Sequence, residues 1–156
     1  MTTMPAANAI LRKRARADGS LSDAEYELLA AFRFALRRYA RFSEDEAKVA
    51  GLTAQHYQAL LAVRAQPAGE TTIGTLAQQL LLKHHSAVGL VDRLEAQGLL
   101  ARAAAPDSRR KVVVVLTAKG TRVLESLAHV HRDELERSAR ELTELLQGIS
   151  EAMSWR

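Results

Sequence analysis

Between Leu99 and Leu116 the spacing of apolar residues drops from the helical period of about 3.6 to the strand period of 2, and this switch constrains the fold most. Leu99 and Leu100 open one short strand, and Val112, Val114 and Leu116 line one face of another. The segment between them holds Pro106 and Asp107 as turn formers and Arg109, Arg110 and Lys111 as a basic tip. Every other patterned stretch repeats at helical spacing. The expected fold is therefore mainly α, with one small wing of two to three strands set into it.

The helices can be placed by their caps. Ser22 followed by Glu25 is a capping-box pattern, after which Leu28, Leu29, Phe32, Leu36 and Tyr39 recur at helical spacing. An acidic break at residues 43–46 is expected to end that helix. Thr53 caps a second, carrying Tyr57, Leu60, Leu61 and Val63, which Pro67 and Gly69 terminate. Thr72 opens a short third helix through Ile73, Leu76, Ala77 and Leu80, and a fourth runs from about His84 to Gln97, where Gly98 offers a left-handed cap. Two short helices with a tight joint make a helix-turn-helix, with Leu76, Ala77, Leu80, Leu82, Val91 and Leu94 as its core. Beyond the ribbon, Thr117 caps a helix with Val123, Leu124, Leu127 and Val130. A last helical stretch carries Leu135, Leu142, Leu145, Leu146 and Ile149. The first and last helices carry more apolar surface than one small domain can cover, leaving either a second copy of the chain or a closed monomeric bundle to bury it.

Charge is unevenly placed. The formal net charge is +4 over 156 residues. Arg12, Lys13, Arg14 and Arg16 face only Asp18 in the first twenty residues, read as a flexible arm that either touches DNA phosphates or is merely solvated. Residues 83–111 hold Lys83, Arg93, Arg102, Arg109, Arg110 and Lys111 against Asp92, Glu95 and Asp107, whereas the stretch from Thr121 onward is net acidic. A basic middle beside an acidic end implies two surfaces with different roles. Cysteine is absent, which excludes disulfides, thiolate metal sites and a cysteine oxidation sensor. No apolar run approaches the roughly 20 residues a bilayer span requires, and the start lacks a secretory apolar core, so a cytoplasmic protein without membrane contact is expected.

From residue 52 to residue 120 the chain resembles regulators of the MarR family. The strongest match is the wing: Asp107 and Arg109, then Val112, Val114 and Leu116, closed by Thr117 and Gly120. Leu52, Thr53 and Gln55 before the second helix, Leu76 and Ala77 in the third, and Leu90 to Glu95 through Gly98 and Leu99 in the fourth agree in order and spacing. The resemblance implies a winged helix-turn-helix flanked by N- and C-terminal dimerisation helices. Residues 1–20 would be the arm and 21–156 one domain, with 52–120 as the winged module and 21–45 and 121–156 as the dimerisation helices. It further implies a homodimer on double-stranded DNA with a palindromic operator, regulating transcription as a repressor relieved by a small, often aromatic or phenolic, effector.

On that reading the N-terminal turn of the fourth helix enters the major groove with Lys83, His84, His85 and Ser86. Val88 and Gly89 depart from the family pattern, where hydroxyl or basic residues are common, so direct base contacts are sparse and Val88 is left to meet a thymine methyl. Arg93 either contacts a phosphate or makes a surface ion pair. Arg109 enters the flanking minor groove, oriented by Asp107, with Arg110 and Lys111 beside it. For the effector, Phe32, Arg33, Tyr39, His56 and Tyr57 are the candidate lining. Adjacent His84, His85 and Ser86 diverge by about 100° per residue on a helix and converge poorly on one ion, and His129 and His131, two apart, fall on different helix faces. No metalloprotease, phosphate-loop, nucleotide-binding or hydrolase motif is present, so neither catalysis nor a cofactor is expected. Two other classes stay open: a ligand-independent DNA binder, and a winged-helix protein-interaction module that has lost specific readout.

Overall fold

The structure is a computed structural model that describes residues 20–153. The basic arm and its Arg12 to Arg16 run fall outside the described residues. Helix α1 spans Asp23–Val49, α2 Ala54–Ala65, α3 Ile73–Gln79 and α4 His84–Ala96. Strands β1, Leu100–Ala105, and β2, Ser108–Leu116, follow, and α5 spans Ala118–Met153. No helix among the described residues is long and apolar enough to cross a membrane.

The start of α1 follows the expected capping box, with the Ser22 N–H donating to Glu25 Oε2 at 2.7 Å and the Glu25 N–H to Ser22 Oγ at 3.3 Å. Its end does not. The acidic segment 43–46 is no break, because α1 runs through it to Val49. None of these residues is a helix breaker, Lys48 pairs with Asp45 one turn back at 3.6 Å, and Ala47 is fully buried in the core. The helix stops at Gly51, whose φ of 72° lets the Leu52 N–H reach back to the Ala47 carbonyl. Likewise the two expected C-terminal helices are one, the 36-residue α5. Glu134 ties Arg137 and Ser138 to its own turn across the expected joint, and no proline interrupts the run.

The backbone divides into two compact units, Met1–Phe42 with Asp133–Arg156, and Ser43–Arg132. In the first, α1 and α5 run antiparallel: Arg38 pairs with Glu141, and Gly148 admits Leu28 so closely that a Cβ there would lie 2.9 Å from Leu28 Cδ2. This unit exposes Tyr26, Leu29, Phe34 and Leu36 on α1 and Leu135 and Leu146 on α5, with Tyr26 at 59% and Phe34 at 57%.

The second unit has one core. Leu60, Leu76, Leu90, Val91, Leu94, Leu100 and Val114 are at most 1% exposed, and Leu80 and Leu82 pack against them. Strands β1 and β2 form a two-stranded antiparallel sheet with Leu100 opposite Leu116 and Ala104 opposite Val112. A third segment touches it through one bond, the Val114 N–H donating to the Thr71 carbonyl at 2.7 Å, without forming a strand. Val112 was expected beside Val114 and Leu116 on a covered face, but it is 53% exposed. Its cross-strand partner Ala104 is exposed too.

Candidate nucleic-acid interface

Helices α3 and α4 meet through a tight turn built from backbone. Thr72 and Thr75 form a reciprocal capping box at the start of α3, and its last turn passes through Leu81, whose φ of 53° lets the Leu82 N–H close on the Ala77 carbonyl at 2.8 Å. Leu81 is 93% exposed, a leucine held in a left-handed conformation without packing in return. Burial of Ala87, Leu90, Val91 and Leu94 fixes which face of α4 looks outward. Lys83, His84, His85 and Arg93 are exposed there, and Ser86, Val88 and Gly89 are half-buried. Lys83, the N-cap residue, makes no side-chain capping bond, so the first N–H groups of α4 face outward without a side-chain acceptor. Such an end favours an anion.

The acidic residues of α4 are held elsewhere. Arg102 of β1 donates through Nη2 to Asp92 at 2.6 Å and through Nη1 to Glu95, while its backbone N–H donates to Glu95 Oε1 at 3.2 Å. Arg93 has no ion pair among the described residues. Its guanidinium leans back along the helix, close enough that a Cβ on Gly89 would sit 3.6 Å from Arg93 Nη1.

The wing is set by contacts at both ends. At the tip, Asp107, Arg109, Arg110 and Lys111 are exposed, and the Arg110 N–H donates to Ser108 Oγ at 3.3 Å. Asp107 and Arg109 share no hydrogen bond with one another. Pro106 leans on Gly69, which has a φ of 80°, and a Cβ at that glycine would meet the proline ring at 2.8 Å. At the base, the Thr117 hydroxyl donates to the Gly98 carbonyl at 2.6 Å and accepts from the Gly120 N–H at 2.9 Å. Lys119 Nζ donates to the Gln97 carbonyl at 2.8 Å, so the C-terminal end of α4 is closed by the first turn of α5.

The candidate effector residues fall in both units. Phe32, Arg33 and Tyr39 lie on the α1 part of the first, with Arg33 exposed and the other two half-buried. Burial, and then the charge of Glu134, raise the Tyr39 hydroxyl above the usual tyrosine range. His56 and Tyr57 lie on α2 in the second unit, both buried. His56 completes the α2 cap: its N–H donates to Thr53 Oγ1 at 3.1 Å and its Nδ1 faces the Thr53 N–H at 3.4 Å. Burial first, and the Arg93 charge second, hold its imidazole below the usual histidine range. Tyr57 stacks on His131, with ring centroids 4.1 Å apart.

His131 is one of two side chains whose role sequence reasoning missed. Nearly fully buried, it donates through Nδ1 to the Leu127 carbonyl at 2.7 Å and places Nε2 2.8 Å from Ser43 Oγ. A usable signal existed, since His131 continues the apolar stripe of Leu124 and Leu127 at helical spacing. The other is Arg102, whose partners lie seven and ten residues back on a different element. No group of three metal-ligating side chains occurs among the described residues.

The MarR family model matches residues 50–111, from the turn before α2 to the basic tip of the ribbon. No curated protein matches the chain. Among solved structures, AbsC, a MarR family transcriptional regulator from Streptomyces coelicolor, is 21% identical. It superposes with a TM-score of 0.66 over 88% of this chain and 99% of its own. CouR from Rhodococcus jostii RHA1, solved bound to p-coumaroyl-CoA, gives 22% identity and a TM-score of 0.66, over 85% of this chain and 96% of its own. A mutant MepR from S. aureus, bound to an oligodeoxyribonucleotide, gives 19% and 0.59, over 86% and 98%. At these identities the likeness is one of fold.

Proposed function

We propose that the chain, whose residues 50–111 match the MarR family model, is a sequence-specific DNA-binding transcriptional regulator of that family, acting as a homodimer on a palindromic operator. The carrying observation is that Lys83, His84, His85 and Arg93 on the outer face of α4 and Arg109, Arg110 and Lys111 at the ribbon tip are exposed cations or imidazoles, backed by one continuous core. In this reading α4 enters the major groove by its N-terminal turn, with Ser86, Val88 and Gly89 against the base edges, and Arg93 lies against a phosphate. Arg109 enters the adjacent minor groove, where Asp107 would orient its guanidinium, with Arg110 and Lys111 placing the tip on the backbone. The oligonucleotide held by the MepR relative supports the same use of the fold.

Exposed Tyr26, Leu29, Phe34 and Leu36 on α1, with Leu135 and Leu146 on α5, support a second copy as the partner of that surface. The effector half of the proposal is repression relieved by a small aromatic molecule, and the p-coumaroyl-CoA bound to CouR supports it. Phe32, Arg33 and Tyr39 in the first unit, and His56 and Tyr57 in the second, are the candidates for effector contact. A ligand shifts the dimer only by its differential affinity for two states, so operator affinity must change when it binds.

The test is a fluorescence-anisotropy titration of the purified protein against its own upstream intergenic DNA and a scrambled duplex, at several salt concentrations. Preference for the upstream duplex with affinity falling steeply in salt is the expected result. Equal, weak binding to both would remove the sequence-specific reading, and operator affinity unchanged across a panel of phenolic acids and their thioesters would remove the effector.

A further inference from the structure

Helix α4 with its cap residue carries two formal positive charges, Lys83 and Arg93, and two negative ones, Asp92 and Glu95. The element that meets DNA in the proposed function thus has no net charge of its own, and its two carboxylates stand on the same helix as the cations that must face phosphate. Neither carboxylate is at the i+3 or i+4 spacing that would let Arg93 neutralise it within the helix. Arg102 does so from outside, gripping both carboxylates and anchoring one of them again through its own backbone N–H. It is partly buried, with its side chain 29% exposed, whereas Asp92 is 56% and Glu95 39% exposed. Arg93 is left exposed and, among the described residues, without an ion pair, leaning toward the N-terminal half of the helix over the space Gly89 leaves open.

We propose that Arg102 is a positioning residue for DNA binding: by holding Asp92 and Glu95 it hides the carboxylates of α4, turns the field of that helix positive and leaves Arg93 as the charge it presents to phosphate. The proposal rests on the DNA-binding reading above and adds a residue that itself stays off the DNA. It separates from a purely mechanical clamp between α4 and β1, because a clamp fails whichever partner is removed, whereas masking becomes needless once the carboxylates are gone.

The experiment is a cycle of three variants beside the parent: Arg102→Met, the pair Asp92→Asn with Glu95→Gln, and all three together. Each is titrated against the preferred duplex at low and high salt, with its melting temperature recorded. Arg102→Met is expected to weaken binding about tenfold at low salt, less at high salt, as the repulsion of bare carboxylates is screened. The carboxylate-free pair should bind at least as tightly as the parent, and adding Arg102→Met to that pair should cost nothing further. A carboxylate-free pair that weakens as much as Arg102→Met would make the contact a mechanical clamp. The same loss from Arg102→Met in the carboxylate-free background would place Arg102 on the DNA itself. Either result overturns the proposal, and if Arg102→Met does not fold, the affinity of the carboxylate-free pair decides it alone. A parent that binds no duplex at all overturns the DNA-binding reading first, and this inference with it.

Discussion

Gly120 lies so close beneath Leu99 that a Cβ built on it would sit 2.0 Å from the Leu99 carbonyl oxygen. The obstacle is backbone, so no side-chain rotation relieves it. Gly120→Ala is therefore expected to destabilise the protein by about 3 kcal/mol, at the upper end of overpacking costs. Urea unfolding measures it, and a midpoint equal to the parent's would show that α5 does not start against the end of α4.

At the turn between α3 and α4, Leu81 has a φ of 53° and is 93% exposed. Asparagine tolerates that conformation, and no packing is lost with the leucine. Leu81→Asn should stabilise the protein by about 1 kcal/mol, the usual cost of a left-handed branched residue. A fall in melting temperature would mean that the leucine is packed after all.

His56 supplies a pH dependence whose sign follows from its environment. Burial, then Arg93, lowers its pKa from the ordinary 6.5, so the unfolded chain takes up a proton before the folded one does. Its contribution to stability is complete above that ordinary value and is lost as pH falls below it toward the folded value. The melting temperature should drop between about pH 7.5 and pH 5.5, and His56→Gln, which keeps a capping-box residue at this position, should reduce the drop. An equal drop in the variant would assign it to other groups.

Arg109 stands exposed at the ribbon tip, within the second unit. Arg109→Ala is expected to cost about 1–3 kcal/mol in operator affinity while leaving the dimer intact by sedimentation. Unchanged affinity would take the ribbon out of the DNA-binding mechanism.

What could be read from the sequence was what local chemistry decides. Thr53, Thr72, Gly98 and the change of period at Leu99 mark their elements because a cap or a turn is specified within four residues. The continuity of α1 was not readable in this way. Ser43, Glu44, Asp45 and Glu46 lack an apolar stripe, and the contact that seats Ser43 comes from His131, 88 positions away. The inward face of α4 was legible from Val91 and Leu94, but the ownership of its carboxylates was not. Arg102 sits in an alanine-rich strand, and nothing in its neighbours says that it turns back onto Asp92 and Glu95.

The two ends of α4 are tied down to very different degrees. Lys119 and Thr117 hold the Gln97 and Gly98 carbonyls, and the Leu99 N–H closes on Leu94, whereas the Lys83 end has no side-chain cap. Amide exchange along the helix should accordingly be graded, slow from Leu94 to Leu99 and fast over His84, His85 and Ser86. If the uncapped first turn of α4 completes its ordering only on contact, mismatched duplexes would be told apart by how fully that turn sets.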